Sequence, residues 1–197
     1  MFKTLITFIT LFFMVFSSVQ AQSQAEEIRN ILDERDDEIK ELLGPEGTDY
    51  TQEQRDRIKN IVNDIIHYRS MAQYALGNTY DEISDEEREE FVDLFATIIR
   101  DNSLNRLDIY RAEVTYENIE VNNGSAYVET MAQLDNVRTS VDYNFEKING
   151  EWMITDMTID DVSTAQSYNR QYQNIIRRHG FDALLNSLRN RAARAST

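Results

Sequence analysis

At residue 112 the spacing of apolar side chains changes from helical to alternating, and it stays alternating to residue 159. The clearest stretch is VRTSVDYNFEKING, residues 137–150. Val137, Thr139, Val141, Tyr143 and Phe145 interleave with Arg138, Ser140, Asp142, Asn144 and Glu146, which puts the apolar set on one face of a strand. Asn149-Gly150 then supplies two residues that accept positive φ, as a two-residue hairpin turn requires. The same reading gives strands at 114–121, 126–134, 137–148 and 151–159, with turns at Asn122-Asn123-Gly124, Asp135-Asn136 and Asn149-Gly150. Links this short only reverse the chain, so the strands form a four-stranded antiparallel meander. Its apolar face must be covered.

Helices supply the cover. Ile28, Ile31, Leu32, Ile39, Leu42 and Leu43 form one stripe over 25–43, stopped by Gly44-Pro45. Thr51 to Gln54 has the form of a capping box, and Ile58, Ile61, Val62, Ile65 and Ile66 follow at helical spacing. Met71, Tyr74, Ala75 and Leu76 make a shorter segment ended by Gly77-Asn78. Ser84 to Glu87 is a second capping box. It opens a helix with Phe91, Leu94, Phe95, Ile98 and Ile99, followed by Leu104 and Leu107 after a break near Asn102. Residues 163–178, closed by Gly180, and 182–191 are the last two helices, and Asp160-Asp161 reads as the start of the first. Helices flanking a run of strands indicate an α+β domain, expected to span residues 22–197.

Residues 1–21 read differently. Lys3, an apolar run over 5–16 and Val19-Gln20-Ala21 have the layout of a secretory signal peptide cut after residue 21. Ser17-Ser18 and Gln20 leave the run short of the ~20 residues a membrane span needs. Cysteine is absent, so disulfides are excluded, as is a thiol for lipid attachment. An exported, untethered protein is expected, and the bacterial periplasm is the compartment that fits.

Formal net charge is −15, which excludes nucleic acid as a partner of the main body. The last 35 residues differ, with six arginines and one aspartate. That basic end could face an acidic partner or anionic headgroups; it could equally be a solvated helix terminus whose arginines suit the dipole. Catalytic and metal-binding patterns are missing. The two histidines, His67 and His179, sit where structural roles suffice, and neither a nucleophile elbow nor a phosphate-cradling glycine loop occurs. The acidic run 81–90 lacks the spacing of a calcium loop. No cofactor or metal is expected.

What the chain has in quantity is adaptable apolar and aromatic surface: Tyr116, Val128, Met131, Tyr143, Phe145, Trp152, Ile154, Met157, Tyr168, Tyr172, Ile175 and Phe181, with Met71, Tyr74, Phe91 and Phe95 from the middle helices. For any single one of these an ordinary core place is the commoner use, and composition alone does not decide between a filled core and a cavity. Residues 152–188 resemble the signature region of the MlaC, or toluene-tolerance, family of periplasmic phospholipid-binding proteins. Trp152 opens an apolar strand, Asp156 follows, Val162-Ser163 forms a junction, and a tyrosine-bearing helix leads to Arg178-His179-Gly180-Phe181-Asp182 and then Leu184 and Leu188. Upstream, Met71 to Gly77, Arg88 to Phe91 and Val141-Asp142-Tyr143 are similar to the family's middle helices and third strand. Where the family commonly has Gly before Val-Ser, Asp161 stands here.

The resemblance implies a soluble carrier on a twisted sheet, cystatin-like or nuclear-transport-factor-like, with helices closing an apolar pocket. Such proteins move phospholipid between an outer-membrane lipoprotein complex and an inner-membrane ABC transporter bearing MCE-domain subunits, maintaining outer-membrane lipid asymmetry. The expected pocket residues are Met71, Tyr74, Leu76, Phe91, Phe95 and Ile98 from helices, Val128, Thr130, Val141, Tyr143, Phe145, Trp152, Ile154 and Met157 from strands, and Tyr168, Tyr172 and Ile175 from the penultimate helix. That helix is expected to stand over the sheet as one wall of a slot. Arg177, Arg178 and Arg189 are expected at a partner or headgroup contact, and the protein is expected to be a monomer without enzyme activity. The alternatives are a pocket-bearing enzyme with Asp142 or Asp156 as base, a carrier of another apolar molecule such as a hopanoid or aromatic solvent, and an interaction module with a solid core.

Overall fold

The computed structural model describes the backbone of residues 2–47, 49–103 and 107–195, and the side chains of 20–47, 49–100 and 107–194. Leu104 and the apolar run at 5–16 lie outside those side chains. Helix α1 spans Phe2–Leu43. It starts well before the expected residue 25, because no glycine or proline interrupts the chain before Gly44. Helices α2 (Gln52–Asp64), α3 (Tyr68–Leu76), α4 (Thr79–Glu82) and α5 (Asp85–Ser103) follow, then a 3-10 turn at Leu107–Arg111. Both capping boxes form: the Gln54 N–H donates to Thr51 Oγ1 at 3.2 Å, and the Glu87 N–H donates to Ser84 Oγ at 3.2 Å. His67 caps α3, its Nδ1 accepting from the Ser70 N–H at 3.3 Å.

The strands are β1 (Glu113–Asn122), β2 (Ser125–Leu134), β3 (Val137–Ile148), β4 (Glu151–Ile159) and a short β5 (Val162–Ser163), in that order across one antiparallel sheet. The fifth strand corrects the expected four. Asp160 and Asp161 do not begin a helix. Both hold positive φ, +46° and +62°, and turn the chain back so that Ile159 pairs with Val162. Two successive positive-φ residues are what a tight hairpin needs, and aspartate is among the few residues besides glycine and asparagine to tolerate them. Helix α6 (Thr164–His179) starts one residue after β5, and α7 (Phe181–Ala195) completes the chain.

A main core lies between the sheet and α3, α5, α6 and α7, with Ile28 of α1 at its edge. A smaller one, built on Ile39, Leu43, Ile58 and Leu107, joins the end of α1 to α2. Arg111 locks that junction by donating to the carbonyls of Gly44 (2.7 Å) and Leu43 (3.1 Å). Among the described residues no helix is long and apolar enough to cross a membrane.

Candidate functional site

Strand register decides which side chains face the helices. Ala126, Val128 and Thr130 pair with Phe145, Tyr143 and Val141, so β2 and β3 present one continuous apolar face. A register shift after Tyr116 in β1 and another beside Ile154 in β4 each add a residue. These bulges put Tyr116 with Ile119, and Ile154 with Met157, on the same inner face despite their three-residue spacing. Met131 pairs with Ser140 and falls on the outer face.

Burial along that inner face is graded. At one end Ala126, Val128, Phe145, Trp152 and Ile154 are buried. Toward the other end the cover stops, leaving Val114 37 %, Ile159 45 % and Val137 65 % exposed, with Val162 beside Ile159. Between the two regions lie Tyr116, Ile119, Val141, Tyr143 and Met157, each half-buried. Tyr143 sits deep enough for burial to push its hydroxyl up to about 12, with Tyr110, Asp36 and Asp142 adding to the rise. It nevertheless keeps accessible surface. It packs against the edge of the main core, its ring 6.4 Å from that of Phe145.

The corner between β4 and α6 holds one side of this region. Ser163 caps α6, accepting from the Gln166 N–H at 3.0 Å, while its hydroxyl donates to Asp156 Oδ2 at 2.5 Å. Asp156 Oδ1 accepts from the Ala165 N–H at 2.9 Å. The aromatic face of α6 then packs on other helices more than on the sheet. Tyr168 meets Phe95 edge-on at 5.3 Å, and Tyr172 meets Phe91 at 5.8 Å and 86°. Asn169 donates to the carbonyls of Tyr74 and Ala75, and Gln173 to that of Leu76, closing the end of α3. A side chain at Gly77 would press within 3.3 Å of Asn169 Nδ2, which is one reason the helix stops on glycine there. The expected wall over the sheet is therefore corrected to a wedge between α3, α5 and β4.

The expected pocket residues divide accordingly. Met71, Leu76, Phe91, Phe95, Ile98, Val128, Thr130, Phe145, Trp152, Ile154 and Tyr172 are buried; the first seven and Phe145 meet essentially no solvent-sized space. Val141, Tyr143, Met157, Tyr168 and Ile175 keep accessible surface. Tyr74 is 55 % exposed on the outer side of α3, so it is corrected out of the interior; its neighbours Ala75 and Leu76 take the inward positions. Sequence reasoning left Ile119 and Val121 out because the β1 bulge breaks strict alternation.

Both candidate bases are occupied structurally. Asp142 accepts from the Tyr127 hydroxyl at 3.0 Å on the outer face, and Asp156 caps α6. Arg189 makes a two-pronged pair with Glu90 (2.6 and 2.7 Å), tying α7 to α5, and its side chain stays about half exposed. Arg177 and Arg178 are exposed at the end of α6.

Comparison with known proteins fits this geometry. The family model described as MlaC protein matches residues 22–190. The chain belongs to the MlaC family. The match begins at the residue after the expected signal cut. No curated protein matches the sequence. Among solved structures, the MlaC-family chain is similar to a phospholipid-binding protein from Ralstonia solanacearum in complex with a phospholipid, at 19 % identity and a TM-score of 0.70. The likeness covers 86 % of this chain and 97 % of that one, and at this identity it establishes the fold.

Proposed function

We propose that this MlaC-family chain is a periplasmic carrier, freed of residues 1–21, that takes the acyl chains of a phospholipid under the open end of its sheet. It shuttles the lipid between an outer-membrane lipoprotein complex and an inner-membrane ABC transporter with MCE-domain subunits, and so maintains outer-membrane lipid asymmetry. The observation that carries the reading is the burial gradient on the sheet's inner face, from a closed floor at Phe145 and Val128 to an uncovered apolar rim at Val137 and Ile159. The phospholipid held by the Ralstonia protein of the same fold supports it.

The energetics favour such a device. Two acyl chains hold ~30 methylenes, and at ~0.8 kcal/mol each their exposure would cost on the order of 25 kcal/mol. Crossing water is feasible only with nearly all that surface covered. A pocket as apolar as a bilayer makes uptake and release nearly neutral, leaving direction to the partners. Half-buried Tyr143 and Met157 suit tails of varied length, one by its hydroxyl and the other by its flexibility.

Organic extraction of the purified protein followed by mass spectrometry tests the reading. Co-purifying diacyl phospholipid is the expected result. A terpenoid would point to another cargo, and an empty extract from protein that also takes up no lipid from vesicles would end the proposal. Arg177 and Arg178 are assigned to docking or to a lipid phosphate: the double substitution to Glu should slow transfer between donor and acceptor vesicles, and unchanged transfer refutes that role.

A further inference from the structure

Residues of α2 and α5, with Ile66 and Tyr68 between them in sequence, line an open polar cleft of about 600 Å³. Its floor is Ile66 and Tyr68. The floor's polar groups are already satisfied: the Tyr68 hydroxyl donates to Asn63 Oδ1, and Asn63 Nδ2 donates to the Lys59 carbonyl. The Arg100 guanidinium carbon lies 4.7 Å from the centroid of the Tyr68 ring, and its side chain also hydrogen-bonds to Tyr68, which restrains the guanidinium where it lines the cleft. Lys59 lines the same cleft. Of the lysines with described side chains, Lys40 pairs with Asp36 at 2.7 Å and Lys147 with Glu27 at 3.6 Å. Lys59 has no ion-pair partner among the described residues, in a chain with 35 carboxylates. The Asn60 amide next to it is likewise without a partner there. Asp64 also lines the cleft, 81 % exposed, with Arg35 3.8 Å away as its counter-charge. Thr97 gives its hydrogen to the Asp93 carbonyl and contributes no donor.

We infer that this cleft is a binding site for a phosphate-bearing anion. A guanidinium fork and a mobile ammonium lining one polar cleft supply the two kinds of donor that phosphate oxygens engage best. The hollow is larger than a bare phosphate and accommodates a small polar substituent on it. The phosphate can come from a lipid headgroup, which rests on the carrier reading, or from a free phosphate compound, which does not.

Calorimetric titration of delipidated protein with inorganic phosphate and with glycerol 3-phosphate, at constant low ionic strength, tests the site without tails. Saturable binding is expected, weakened roughly ten-fold by Lys59→Gln. Arg100→Gln should weaken it similarly. Because Arg100 also packs on Tyr68, the Lys59 variant, checked by thermal melting, is the deciding one. Repeating the titration on lipid-loaded protein separates the sources: binding abolished by loading identifies the headgroup, and binding unchanged identifies a free anion. Absence of saturable binding by the wild type, or equal binding by Lys59→Gln, overturns the inference. Phosphate bound by protein that carries no lipid would keep the cleft and discard the carrier; lipid without phosphate binding would do the reverse.

Discussion

At the scale of single residues, Asp161 holds a conformation that side chains resist. Its φ of +62° lies in the left-handed region, which costs an ordinary L-residue roughly 1–2 kcal/mol, less for aspartate. Replacing it by glycine, the residue its family commonly places there, should stabilise the protein by up to about 1 kcal/mol, or roughly 2–4 °C in melting temperature. A lower melting temperature would mean that the Asp161 carboxylate has a role of its own. His67 titrates informatively. Burial, then Arg69, hold its pKa below the ordinary 6.5, with Glu146 opposing. The folded chain thus keeps the ring neutral, as its acceptor role toward the Ser70 N–H requires, while the unfolded chain takes up a proton as pH drops through 6.5. The His67 contribution is complete above that pH and is lost on acidification toward the folded value. His67→Asn, a cap that does not titrate, should flatten part of the loss of stability between pH 7 and 5; an unchanged slope would assign that loss to the carboxylates.

At the scale of elements, α6 depends on its first turn. Asp156 in β4 accepts from the Ser163 hydroxyl and the Ala165 N–H, so one carboxylate sets both the cap and the angle at which the helix leaves the sheet. Asp156→Ala should cost about 2 kcal/mol in denaturant melts, and Asp156→Asn less, since the amide oxygen still accepts. Helix α1 is held to the sheet largely by polar contacts: Trp152 Nε1 donates to Glu27 at 3.1 Å, the Tyr116 hydroxyl donates to Asp33 at 2.8 Å, and Arg29 lies 4.3 Å over the Tyr116 ring. Few fully buried apolar groups reinforce it there beyond Ile28. Tyr116→Phe removes one link while keeping the ring. Amide exchange over residues 27–36 should rise in that variant while exchange in β2 and β3 stays unchanged.

At the scale of the whole molecule, function depends on how unevenly the helices cover the sheet. Val137 and Ile159 belong to the apolar inner face but stand at its uncovered end. Because both are exposed, Val137→Asp with Ile159→Asp should leave the fold and melting temperature nearly unchanged. The same charges would sit at the rim that lipid must pass, so the double variant should copurify with several-fold less phospholipid. Full retention of lipid would place the entrance elsewhere.

The strands were legible in the sequence, as were three of the four turns, both capping boxes and the helical faces, because each rests on contacts only a few residues apart. Val137 to Phe145 share a face by alternation alone, and Asn149-Gly150 turns by its own backbone freedom. Two aspartates in a row gave no comparable sign of a hairpin, so β5 was missed. Which apolar residues fill the core and which keep accessible surface was decided by tertiary packing: Phe91 and Tyr143 look alike in the sequence, and only the neighbours that the fold brings make one fully enclosed and leave the other accessible. The same holds for Lys59 and Arg100, 41 positions apart, which α2 and α5 bring into the lining of one cleft. Local spacing determines elements; the empty volume between them depends on how every element packs, and no short stretch of sequence encodes that.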